Sequence, residues 1–166
     1  MKSKKLLSII LALAMMFSVL PASTVLVYAD EITETISADT TWNDGDTVGG
    51  VTISGGTVTI NGDVSITAAI TIKGDVTFTG GGTLNRMSTS GNLIKVESGS
   101  LTLGNVTIDG NDVIISDSGA VAAINMADGT VIMNDGAKIT NHKRTSGYGP
   151  AVYMAGGNFK MKGGTI

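Results

Sequence analysis

From position 51 onward, apolar residues come in pairs separated by a single hydroxyl residue: Val51/Ile53, Val58/Ile60, Val64/Ile66, Ile70/Ile72 and Val76/Phe78. The pairs begin at positions 51, 58, 64, 70 and 76, an almost even spacing. Turn sequences such as Ser54-Gly55-Gly56, Asn61-Gly62-Asp63 and Lys73-Gly74-Asp75 separate most of them. Period-two alternation of β-branched residues predicts strands with one buried face. Gly beside Asp or Asn supplies the corners between them. Strands this short and this evenly cornered do not suit a hairpin meander. They predict a solenoid.

The second half repeats with a longer period. Val96–Leu103, Met126–Met133 and Met154–Met161 each place an apolar residue first, Gly fourth, and apolar residues sixth and eighth. The three stretches begin at positions 96, 126 and 154. After each comes a small polar corner and a further apolar position: Val106/Ile108, Ala137/Ile139 and Ile166. Three strands joined by corners would make one coil of that length. Stacked coils bury a continuous core that no single coil can bury alone. The register predicts a column Leu101–Val131–Phe159 and another Leu103–Met133–Met161, with Thr102, Ile132 and Lys160 facing out. Gly99, Gly129 and Gly157 mark one corner in successive coils, where a Cβ would be strained.

The stretch 147–166 reads Gly-Tyr-Gly-Pro-Ala-Val-Tyr-Met-Ala-Gly-Gly-Asn-Phe-Lys-Met-Lys-Gly-Gly-Thr-Ile. It resembles a repeat of secreted bacterial surface proteins, Gly-Gly-x-Val-Tyr-x-x-x-Gly-x-Phe-x-Met-x-Gly-Gly-Thr-Ile. The likeness covers residues 90–166, and 51–84 more loosely. The resemblance implies an all-β, right-handed parallel β-helix of the pectin-lyase-like kind and an adhesin-like role. The six-residue spacing over 60–78 also resembles the hexapeptide repeat of left-handed β-helices. There Ile60, Ile66 and Ile72 would take the aliphatic position, but Ile70 is bulky for the small one and the register breaks at Gly80-Gly81-Gly82. Right-handed is the expected form.

Residues 1–29 carry a secretory pattern. Lys2, Lys4 and Lys5 precede a fifteen-residue, mostly apolar run from Leu6 to Leu20, then Pro21 and a Val27-Tyr28-Ala29 cleavage site. That run is shorter than the roughly 20 residues of a spanning helix, so no membrane span is expected after cleavage. The domain reading is a signal peptide over 1–29, a cap segment over 30–48 and β-helix repeats over 49–166. The repeats stop within a unit at Gly163-Gly164-Thr165-Ile166, which predicts further repeats in a longer parent. Removing the signal takes three of 11 basic residues and none of the 14 acids, leaving a formal net charge of −6. That balance gives no electrostatic reason to bind nucleic acid. Zero cysteines exclude disulfide scaffolds and cysteine-ligated zinc. The expected location is extracellular or at the cell surface.

Candidate chemistry falls in the three longest breaks of the repeat, 85–92, 109–120 and 140–150, because solenoid insertions emerge on one face. Loops 109–120 and 140–150 follow equivalent strands, so they should emerge side by side. Their candidate contact residues for a polysaccharide or cell-surface ligand are Asp109, Asp112 and Asp117 with His142, Lys143, Arg144 and Tyr148. Opposite charges there can also simply neutralise one another. Asp109, Asn111, Asp112 and Asp117 carry oxygen suited to calcium, but Asp-Gly-Asn is equally turn chemistry; no cofactor is expected. Trp42, Tyr148 and Tyr153 have rings able to stack on sugars, although Trp42 suits packing on the cap and Tyr153 the core or an edge. The same fold hosts pectate lyases and polygalacturonases, whose Arg-x-Pro-x-x-Arg, Trp-x-Asp-His and Gly-His-Gly motifs are absent here. The expectation is therefore a non-catalytic adhesin-like or structural stalk. Its alternative is a carbohydrate-active β-helix whose catalytic coils lie outside this segment.

Overall fold

The computed structural model describes residues 31–117, 119–145 and 151–166. All regular structure among them is β-strand, seventeen in chain order: β1 (Thr35–Ile36), β2 (Thr40–Asn43), β3 (Thr47–Val48), β4 (Thr52–Asn61), β5 (Asp63–Ile66), β6 (Ile70–Thr79), β7 (Thr83–Arg86), β8 (Ile94–Val96), β9 (Ser100–Leu103), β10 (Thr107–Asp109), β11 (Ile114–Ile115), β12 (Ile124–Met126), β13 (Thr130–Met133), β14 (Lys138–Thr140), β15 (Lys143–Arg144), β16 (Val152–Met154) and β17 (Asn158–Met161). Every strand pairing is parallel. A ten-stranded sheet holds the first two sides of each coil, and β3, β5, β7, β10 and β14 form a five-stranded sheet on the third. The chain is an all-β, parallel, β-helix-like solenoid.

Parallel pairing puts like on like. Ile36, Ile53, Ile72, Val96, Met126 and Met154 follow one another through six successive coils. Val76, Leu101, Val131 and Phe159 form a second column, and Val58, Phe78, Leu103, Met133 and Met161 a third. On the five-stranded sheet Val64, Leu84, Ile108 and Ile139 stack likewise. Below the last coil these positions are fully buried or nearly so, each contributing roughly 1.5–3 kcal/mol. On the outer surface Thr102 and Ile132 are partly exposed and Lys160 is exposed. The column and corner expectations hold. Gly99, Gly129 and Gly157 have φ of 72°, 83° and 77°, and a Cβ on Gly129 would lie 2.5 Å from the Gly99 carbonyl oxygen.

Two details differ from the sequence expectation. Residues 35–48 lie on the first coil through β1, β2 and β3, in register with β4 and β5, so this segment is itself a coil. Its Trp42 is buried on Ile60, with its ring 6.0 Å from that of Phe78. Tyr153 stands in register with Asn125, Lys95 and Thr71 and faces outward, because strand parity places Val152 and Met154 on the inner side.

Coil length is not constant. The first column falls at positions 36, 53, 72, 96, 126 and 154, so the later coils are markedly longer than the early ones. Nearly all of the change is at one corner, between the five-stranded sheet and the next coil. That corner is short at 49–51 and 67–69, then lengthens to 87–93, 110–123 and 141–151. The corner carrying Gly99, Gly129 and Gly157 keeps one length in the later coils, at 97–99, 127–129 and 155–157. Insertions stacked at one corner make a ledge along the flank of the solenoid.

Candidate functional site

The ledge begins where the chain leaves the third side. Coil by coil, Asn85, Asp109 and Thr140 are in register. Beyond them the backbone turns off through Asn111 (φ 52°), Asp112 (φ 55°) and Asn141 (φ 57°). Among the described residues these are the only non-glycine residues with positive φ. Asn and Asp tolerate that region better than other L-residues because their side chains bond locally. The neighbouring Asp109 carboxylate braces this turn, accepting from the Asn111 backbone amide at 2.6 Å and, across coils, from Asn141 Nδ2 at 3.1 Å.

Two insertions then pair with each other. β11 and β15 form a two-stranded parallel sheet, Ile114 beside Lys143 and Ile115 beside Arg144. This places the described parts of the two loops, 109–117 and 140–145, side by side at about one strand spacing, roughly 4.8 Å. Lys143 Nζ reaches Asp112 Oδ1 at 2.8 Å, both side chains more than half exposed. Ile114 and Met87 leave 58% and 51% of their surface open on the same ledge. Arg144 turns the other way, donating to the backbone oxygens of Val121 (2.7 Å) and Asp117 (2.8 Å). Asp117 Oδ2 accepts from the Gly91 amide at 2.6 Å. Tyr148 lies outside the described residues, as does the segment 1–29.

Beneath the ledge sits a residue the sequence reading did not single out. Arg86 is wholly buried, the one buried charged side chain among the described residues. Its position is in register with Ile66 and Val48, inside the solenoid wall. The guanidinium donates to the carbonyl oxygens of Gly91 (3.0 Å), Ser88 (3.3 Å) and Ala122 (3.4 Å), and Nε finds no partner. Burial lowers the Arg86 pKa, while the nearby Asp117 carboxylate acts to raise it. A signal existed: Leu84-x-Arg86 aligns on Val64-x-Ile66 of the preceding coil, which puts Arg at an inward position.

His142 adjoins this cluster. Both ring nitrogens are shielded from water and neither makes a hydrogen bond of ordinary geometry. Burial above all, with Arg86 second, lowers its pKa to about 4, against opposing effects of the Ile108 backbone and Asp109. The six candidate residues that the structure describes thus divide. Asp112 and Lys143 form an exposed pair, Asp109 and Asp117 fasten loop backbone, Arg144 clamps a loop, and His142 is largely shielded. No three acidic or histidine side chains converge as a metal site among the described residues. The described part of the ledge offers charge, apolar surface and hydrogen-bonding groups for contact.

The class of protein defined by this register is a parallel β-solenoid with a lateral ledge. Comparison with protein-family models, with curated proteins and with solved structures finds no match.

Proposed function

We propose that the chain is an exported, extracellular or cell-surface β-helix that acts without catalysis, as an adhesin-like module or stalk presenting the ledge as its contact surface. The observation that carries this reading is the concentration of strain and buried charge at one corner. The three left-handed non-glycine residues and the buried Arg86 all belong to the ledge. Strained backbone persists only where surrounding structure over-determines it, and it clusters at functional sites. Loops on a rigid scaffold are the usual place for binding residues. The right-handed sense rests on the repeat resemblance, supported by the general preference of connections between parallel strands of one sheet. Export rests on the pattern of residues 1–29, and a secreted bacterial origin on the repeat resemblance.

Replacing Ile114 with Ser and Lys143 with Ala alters exposed ledge groups and leaves the buried supports in place. Binding of the double variant to cells and to a glycan array should fall at unchanged melting temperature. Unchanged binding would refute the ledge as contact surface. Product release from polygalacturonate, with or without calcium, would overturn the non-catalytic reading.

A further inference from the structure

We propose that Arg86 is the positioning residue of the ledge: its buried guanidinium sets the conformations of segments 87–92 and 119–123. Leu93 and Ala123 join the main core at the feet of the insertions, and Ile115 and Ala122 are buried outside it. No residue of 87–92 is buried, so apolar packing does not by itself hold that segment. Polar side chains address the loop backbone instead. Arg86 takes carbonyls from two different coils, Ser88 and Gly91 in one and Ala122 in the next. Asp117 returns from the second coil to the Gly91 amide. Asn92 Oδ1 accepts from the Ala122 amide at 2.9 Å, and Asn125 Nδ2 donates to the Ala120 carbonyl at 2.7 Å. Arg144 extends the same arrangement to β15.

Arg86 is the centre of this set because it alone is fully buried, and because its planar fork meets several carbonyls at once. A methionine would satisfy the column of Val48 and Ile66 but none of those carbonyls. Burying a cation is costly, so an apolar residue would serve the solenoid better. What the arginine adds is a fixed shape for the ledge. This deepens the contact-surface reading and rests on it for its functional meaning.

The experiment is hydrogen exchange by mass spectrometry on the full chain and on Arg86→Met, Arg86→Lys and Arg86→Ala. In Arg86→Met, amides of 87–92 and 119–123 should exchange roughly tenfold to a hundredfold faster, as expected when a charged donor leaves buried carbonyls. Amides of β4, β6 and β13 should be unchanged. Arg86→Lys, with charge but no fork, should be only partly protected. In Arg86→Ala, dilute guanidinium chloride should restore ledge protection where sodium chloride at equal ionic strength does not. Unchanged ledge exchange in Arg86→Met, or a uniform increase across all coils, would overturn the proposal. Should Arg86→Ala fail to fold, Arg86→Met, which keeps the column filled, still decides. Cell and glycan-array binding are measured on the same proteins. A loosened ledge with intact binding would refute the contact-surface reading alone.

Discussion

The stacked corner of Gly99, Gly129 and Gly157 invites a test that separates backbone strain from crowding. Three glycine-to-alanine substitutions do this. Gly45 has φ of 86° and nothing within 4 Å of a Cβ. Gly74 lies outside the left-handed region, but its Cβ would run into the Ser54 carbonyl. Gly129 combines both, with φ of 83° and the Gly99 oxygen 2.5 Å away. Left-handed backbone costs alanine about 1–2 kcal/mol, offset by about 0.4–1 kcal/mol from a less disordered unfolded chain. Gly45→Ala should therefore lose about 1 kcal/mol or less. Crowding in a packed interior adds about 1–3 kcal/mol, and the obstacle here is backbone of the neighbouring coil, which cannot rotate away. Gly129→Ala should then lose about 2–4 kcal/mol, and Gly74→Ala should also exceed Gly45→Ala. Urea unfolding at constant m-value reads these losses as midpoint shifts. Equal losses for Gly45→Ala and Gly129→Ala would refute the idea that coil-on-coil contact fixes the corner.

Other outcomes follow from facing, protonation and surface charge. Val131→Asp buries an unpaired carboxyl in a column at 0% exposure and should cost several kcal/mol, enough to unfold or aggregate the protein, whereas Ile132→Asp should be tolerated. Equal damage would place the register one residue off. His142 stays neutral in the folded chain down to about pH 4 but protonates near 6.5 when unfolded. The unfolded state thus binds more protons between those values, and stability falls as pH drops through that window, by at most about 1.4 kcal/mol per unit. His142→Gln should lack that component, so a wild-type-minus-variant difference that is flat from pH 7 to 4 would contradict it. Lys143→Ala breaks an exposed pair and should shift stability by under about 1 kcal/mol. Expressed in a secreting host, the protein recovered outside the cells should have an intact mass beginning at Asp30; a form retaining Lys2 to Lys5 would refute cleavage after Ala29.

The solenoid was legible because its information is local and repeated. Thr52 or Thr77 between two β-branched or aromatic neighbours gives face and period together, and a parallel ladder then carries that parity from coil to coil. Gly99, Gly129 and Gly157 were readable for the same reason. The ledge was legible only as interruption. That 114–115 and 143–144 lie together follows from the equivalence of Val106/Ile108 and Ala137/Ile139. Which charges meet does not, because it depends on side-chain direction: Lys143 reaches outward to Asp112 while adjacent Arg144 reaches inward to Asp117 and Val121. Arg86 was obscured by the assumption that inward positions are apolar. In register terms it occupies a core site. Tyr153 needed only the parity of its own strand: with Met154 inward in the repeat, its neighbour faces out.

The constant rise of the solenoid has a consequence for the insertions that ride on it. Their feet stand about 4.8 Å apart, less than half the roughly 10 Å that two layers need when side chains lie between them. Neighbouring insertions cannot both be bulky and independent. They must splay or join backbone to backbone, and here β11 and β15 join. An insertion lengthened in one coil alone leaves its new amides and carbonyls to water, without the ladder that holds β11 to β15. Variation at this corner should therefore arise in adjacent coils as matched changes, so that the heritable unit of the ledge is a pair of coils.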